Sequence, residues 1–193
     1  MSENFLLPGE VVKELVVQWG VPPEKKPKCK TDQYMRMMEL LYGRHENYKQ
    51  WLKDPGLKKQ MEMKLGYFVQ ACIGNLKNHT NYREGHETSL DGEQVREDGT
   101  KILYEVKIDE RTTNDASLRK SIERLQEATV KEPRVKPLLI QFFRRARISK
   151  GNKYRSILIS GEDYLNEYVS PSIGGIDGLI SYMENHLKSL SAV

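Results

Sequence analysis

The chain has 193 residues, 38% hydrophobic and 30% charged, and its 31 Lys and Arg against 27 Asp and Glu leave a net charge of +4. That balance excludes a disordered chain and suits one polar-surfaced domain, or one domain with a helical extension. No apolar run approaches the ~18 residues of a membrane span, and Met1-Ser2-Glu3-Asn4-Phe5 has neither the basic start nor the apolar core of a secretory signal, so a cytoplasmic location without membrane contact is expected.

Residues 1–80 have a helical pattern. Pro8-Gly9 precedes a periodic stripe of Val11, Val12, Leu15, Val16 and Trp19, which stops at Gly20 with Pro22-Pro23 beyond it. Glu24 to Lys30 is a basic, Pro-containing loop. A second helix is expected from Thr31, a capping residue, to about Lys53, with Tyr34, Met37, Met38, Leu41 and Tyr42 on one face. Asp54-Pro55-Gly56 breaks the chain. A third helix then runs from about Leu57 to Lys77, its broad apolar face formed by Met61, Leu65, Phe68, Val69, Cys72, Ile73 and Leu76. Met35, Met37, Met38, Met61 and Met63 fit as gap-filling core side chains.

Cys29 and Cys72 stand apart, outside any CxxC pair, which argues for reduced thiols and against structural zinc. His45, His79, His86 and His186 lack the paired spacing of metal ligands.

From Thr88 onward strands and helices alternate, as in a sheet with helices packed against it. Lys101 to Ile108 alternates: Ile102, Tyr104, Val106 and Ile108 share one face, and Leu103, Glu105 and Lys107 the other. Glu105 and Lys107 then point the same way, roughly 7 Å apart at ~3.3 Å per residue. A three-residue hairpin loop, Glu97-Asp98-Gly99, supplies Gly where a left-handed residue is wanted, and pairs Arg96 with Thr100. In that register Asp91 lies opposite Glu105 and shares its face. A two-residue loop moves every pair by one and separates the two acids unless a bulge restores them.

A helix from Asp115 to Val130 follows, burying Leu118, Ile122 and Leu125 and presenting Arg119, Glu123 and Glu127 at four-residue spacing. Next come an apolar strand, Pro137 to Phe143, a basic segment, Arg144 to Arg155, and a strand, Ser156 to Ser160. A short helix, Glu162 to Tyr168, and a last helix after Gly174-Gly175 complete the pattern. The basic segment holds Arg144, Arg145, Arg147, Lys150, Lys153 and Arg155 and no acid.

Two carboxylates side by side repel unless a cation neutralises them. Mg²⁺ suits Asp91 and Glu105, with the Val106 carbonyl as a third oxygen, because it takes hard oxygen ligands and keeps several waters. Lys107 could orient or deprotonate an attacking water and meet a phosphate. Glu62, on the third helix, and Glu87 are candidate additional acids. Arg144, Arg145, Lys150 and Lys153 are the candidate phosphate contacts, since neutralised phosphates supply most non-specific DNA affinity. The competing interpretation makes Glu-x-Lys the solvated face of an amphipathic strand and the basic run a solvated loop.

With these residues in place the chain resembles the PD-(D/E)xK nuclease superfamily, Asp91 matching its first acid, Glu105 its second and Lys107 its lysine. Leu90 stands where the family's usual Pro would be. From Glu84 to Leu190 the order of elements looks like the cleavage domain of FokI-type (type IIS) restriction endonucleases. The resemblance implies a restriction-endonuclease-like mixed sheet flanked by helices in an α/β (α+β) fold. Its core would span 81–193, with the helical region 1–80 packed on it. It further implies Mg²⁺-dependent hydrolysis of double-stranded DNA at one strand per site, and a role for the Asp115–Val130 helix in pairing cleavage domains. No segment looks like a sequence-reading module, so a larger DNA-recognition or nicking subunit, or a second copy of the chain, is expected as partner. A structure-selective repair nuclease or junction resolvase of the same fold, and a non-catalytic DNA-binding protein, are the rival functions.

Overall fold

The alternating segment becomes strand β3 (Lys101–Lys107), the middle of a five-stranded mixed sheet in the order β1-β2-β3-β4-β5. The computed structural model describes residues 9–19, 33–43, 45–82, 85–108, 115–131, 134–143 and 156–188. Strands β1 (His79–Asn81) and β2 (Gly92–Val95) run antiparallel to their neighbours, whereas β4 (Val135–Gln141) and β5 (Leu158–Ser160) are parallel to β3. The β2–β3 register pairs Gly92 with Tyr104 and Val95 with Lys101, as the three-residue loop requires. Arg96 and Thr100 close that loop through a backbone bond of 3.0 Å, and Gly99 takes the left-handed φ of 79°.

The two faces of β3 feed two cores. Ile102, Tyr104, Val106 and Ile108 join a large core with α1 (Gly9–Trp19), α2 (Gln33–Tyr42), α4 (Pro55–Gly74) and α7 (Gly175–Lys188). Leu103 joins Leu90, Leu139, Ile157 and the buried Ile122 and Leu125 of α5 (Asp115–Lys131) on the opposite face. The sheet is thus sandwiched between a layer of helices and one long helix. Full burial of each such aliphatic side chain is worth about 1.5–3 kcal/mol. The N-terminal helices share their core with the sheet rather than forming one of their own.

Several expected boundaries move. The second helix stops at Tyr42, Gly43 making one more helical bond to the Glu39 carbonyl, and the next helix described is the single turn α3 (Tyr48–Trp51). Helix α4 begins at Pro55 instead of Leu57, because Asp54 caps it, accepting from the amides of Gly56 and Leu57 at 2.8 and 3.0 Å. Residues 75–77, expected within that helix, lie beyond its end at Gly74, and β1 follows directly. The expected helix Glu162–Tyr168 divides into α6 (Gly161–Tyr164) and a π-helical turn, Leu165–Val169. Met63 is 53% exposed rather than core, and Met35 is half-buried, while Met37, Met38 and Met61 are buried as expected. Leu118 is only half-buried on α5. Thr31, Cys29 and the whole basic segment, with Arg144, Arg145, Lys150 and Lys153, lie outside the described residues. Cys72 is buried, which pushes its thiol far above the usual range and makes it inert.

Candidate active site

Asp91 precedes β2 by one residue, where the β2–β3 ladder ends. Its amide donates to the Tyr104 carbonyl at 3.2 Å, and its carboxylate Oδ2 accepts from the Val106 amide at 2.7 Å. The acid therefore replaces the next backbone partner of β3 and is fixed one residue along from Glu105. Gly92 is held there by space: a Cβ would collide with the Thr80 carbonyl oxygen and the Tyr104 hydroxyl. Gly92 is thus the first residue of β2, packed between its two neighbouring strands.

Glu105 is buried, 3% exposed, which argues against the competing interpretation of Glu-x-Lys as a solvated strand face. Its Oε1 accepts from Lys107 Nζ at 2.8 Å, Ser121 Oγ at 3.0 Å and Arg124 Nη2 at 3.1 Å. Its Oε2 is buried with no hydrogen-bond partner among the described residues. A buried, unpaired carboxylate oxygen carries a substantial desolvation cost and calls for a ligand.

The Asp91 carboxyl is pushed up to about 6, first by burial and then by the charge of Glu105. The Val106 amide, Lys107 and a hydrogen bond from the Gln70 side chain on α4 act against that shift. Asp91 thus feels Glu105 directly, and the two acids form one site.

Val106 completes the arrangement. Lys107 O accepts from Phe142 N at 2.8 Å on the β4 side, so the Val106 N–H and C=O point the other way, toward Asp91. The Asp91 and Glu105 carboxylates and the Val106 carbonyl are hard oxygens of the kind that Mg²⁺ prefers. The residues fit such an ion: the unpaired Oε2 and the raised Asp91 are both features that a bound cation would relieve.

Beside this pair opens a cleft of about 530 Å³, lined by Val106 and Lys107 of β3, Ser117 of α5, and Lys59, Glu62 and Gln70 of α4. Glu62 shares the cleft, but its Oε1 accepts from the Tyr34 hydroxyl at 2.9 Å. Glu87 is exposed in the turn before Asp91. Among the described residues no third Asp, Glu, His or Cys completes a metal-binding group with the two acids.

Gln70, Ser121 and Arg124 are site residues that the sequence pattern did not single out. One signal was present: Ser121 falls between Leu118 and Ile122, Leu125 on the inward stripe of α5, where a polar residue is out of place unless it has a buried partner. Arg124 follows three residues later on the same face.

The chain matches no known family model and no curated protein sequence.

Proposed function

We propose that this chain is a Mg²⁺-dependent DNA endonuclease of the PD-(D/E)xK type, acting as the cleavage subunit of a type II, type IIS-like restriction enzyme. The observation that carries the proposal is the pairing of Asp91 with Glu105 at the end of a strand junction, Glu105 keeping one buried oxygen unpaired beside Lys107. The mixed sheet supports it, with one acid immediately before β2 and Glu-x-Lys on the adjacent β3.

Asp91, Glu105 and the Val106 carbonyl would hold the cation, which supplies charge stabilisation at the phosphate and a more acidic bound water. The Val106 amide and Gln70 orient the Asp91 carboxylate. Lys107 spans Glu105 and the cleft, where its ammonium can meet a non-bridging phosphate oxygen or orient the attacking water. Water attack on phosphorus and departure of the 3′ oxygen leave a 5′-phosphate and a 3′-hydroxyl. The substrate is double-stranded DNA, and the second strand is cut by a larger recognition subunit or a second copy of the chain.

The test is plasmid cleavage with Mg²⁺, by the chain alone and with a candidate recognition subunit. Asp91→Ala and Glu105→Ala should each abolish cutting, and Lys107→Ala should reduce it at least about 100-fold, the lower end of what a positioned acid–base group supplies. Cleavage at wild-type rate in either carboxylate variant overturns the proposal. Sequence-independent cutting of branched DNA would replace restriction by a repair function.

A further inference from the structure

Helix α5 lies across the sheet face that carries Glu105, and one of its side chains reaches both acid-bearing segments. Arg124 Nη1 donates to the Ser89 carbonyl at 2.8 Å, and its Nη2 donates to Glu105 Oε1 at 3.1 Å. Ser89 stands two residues before Asp91 with a φ of 50°, a left-handed conformation that a non-Gly residue keeps only when held. Nη2 also meets Ser121 Oγ at 3.3 Å, and Ser121 itself donates to the same Glu105 oxygen at 3.0 Å.

We propose that Arg124 is a positioning residue that locks the Asp91 turn and the Glu105 carboxylate into one rigid unit, turning Oε2 of Glu105 toward the cation. The proposal rests on the metal-nuclease function above. Among the described residues three donors gather on Oε1 and none on Oε2, so the carboxylate is fixed in one rotation and its ligating oxygen is selected. The planar fork of a guanidinium can serve two acceptors on different segments, whereas an ammonium acts as a point charge and cannot hold both in the same geometry.

Charge and position predict opposite outcomes, which makes the role decidable. As a mere positive charge near the acids, Arg124 would repel a divalent cation, and its removal would tighten cation binding. As a positioning group, its removal weakens binding, since losing an outer partner of a metal-ligating side chain typically costs about 10–100-fold in affinity. A structural staple for α5 would lower the melting temperature and leave cation affinity alone.

The experiment is direct titration of Mn²⁺, as a spectroscopic stand-in for Mg²⁺, into the full chain, followed by electron paramagnetic resonance and paired with thermal melts. The proteins are wild type, Arg124→Ala, Arg124→Lys and a control, Lys120→Ala, on the same helix. We expect Mn²⁺ affinity to fall about 10-fold or more in Arg124→Ala, to be only partly restored in Arg124→Lys, and to stay at the wild-type value in Lys120→Ala. Affinity in Arg124→Ala within twofold of wild type, or tighter, overturns the positioning role while the nuclease proposal stands. Should folded Arg124→Ala be unobtainable, an Arg124→Lys variant with wild-type affinity overturns it equally. A wild-type protein that binds no Mn²⁺ overturns the metal-nuclease function and this inference with it.

Discussion

The Asp91 carboxylate accepts the Val106 amide at 2.7 Å, taking the place that the Leu90 carbonyl would occupy had β2 continued in register. The acid is therefore positioned by the sheet's own hydrogen-bond ladder. Its placement relative to Glu105 is fixed as firmly as the strand pairing, which suits the cation site proposed above.

The same placement sets a pH dependence. Asp91 titrates at about 6 in the folded chain against 3.8 as its ordinary value, so the folded state holds the proton more tightly. Stability from this group is full below its unfolded value and lost as pH rises through 6. Asp91→Asn should remove the dependence and be more stable than wild type above pH 6, by up to about 3 kcal/mol from two pKa units. Cation binding needs the carboxylate ionised, so wild-type Mg²⁺ affinity should rise from pH 5 to 7 and then level off. Urea melts of both proteins at pH 4.5 and 7.5 check the stability, and Mg²⁺-dependent melting shifts the affinity. Equal pH profiles for the two proteins would contradict the burial of Asp91.

Gly92 gives a second prediction. Because a Cβ there would collide with backbone as well as with the Tyr104 ring, relief requires moving β1 or β3. Gly92→Ala should cost about 2 kcal/mol or more, at the upper part of the overpacking range. It should also displace Asp91, reducing Mg²⁺ affinity in whatever fraction stays folded. Ala at exposed Gly85, where a Cβ meets nothing but φ is 84°, tests backbone strain alone and should leave Mg²⁺ affinity unchanged. Wild-type stability and affinity in Gly92→Ala would show that the strand yields easily.

Much of this site was legible in the chain because its logic is local. Alternation over Lys101–Ile108 and a Gly at the left-handed position of a three-residue loop fix the register, and the register sets Asp91 beside Glu105. What was not legible depends on contacts between distant segments. Strand β1 has three polar residues, His79–Asn81, and joins the sheet edge through backbone bonds that carry no side-chain pattern. The burial of Glu105 comes from α5 closing over it, a contact spanning 16 residues to Ser121 and 19 to Arg124. Gly43, expected within the second helix, lies just past the end of α2, where the weak helix preference of Gly is one local signal of the break.

His79 should titrate with the opposite sign to Asp91. Its Nδ1 lies 2.8 Å from the Lys77 carbonyl, which can only accept, so the neutral ring carries its proton there and Nε2 accepts from the Tyr164 hydroxyl at 2.7 Å. Burial lowers its pKa to about 4 from 6.5, with the Lys77 hydrogen bond acting against that shift. The unfolded chain therefore binds the extra proton first, and stability falls as pH drops from 6.5 to 4. Replacing His79 with Gln should flatten the acid limb of a stability–pH curve. In the double variant with Asp91→Asn, both slopes between pH 4 and 6.5 should vanish. An acid limb unchanged in His79→Gln would place its origin in other groups.

The basic segment provides the test of substrate. Arg144, Arg145, Lys150 and Lys153 follow β4, whose carboxyl end lies beside that of β3 and its Lys107. Contacts from such residues go to phosphates and carry no base information, so removing them should weaken DNA binding equally on any sequence. Each lost phosphate contact should flatten the log–log salt dependence by about 0.9 for duplex DNA. Replacing all four with Ala should therefore lower the slope by up to about 3.6 units if every one engages a phosphate. Measuring duplex binding from low to physiological salt, with Ca²⁺ in place of Mg²⁺ to prevent cutting, separates this from the metal site. Asp91→Asn should keep the wild-type slope in the absence of divalent cations, because it removes no cationic contact. A quadruple variant with wild-type affinity and slope would reduce the segment to a solvated loop and shift the search for the DNA path to Lys59 and Lys107, which line the cleft beside the two acids.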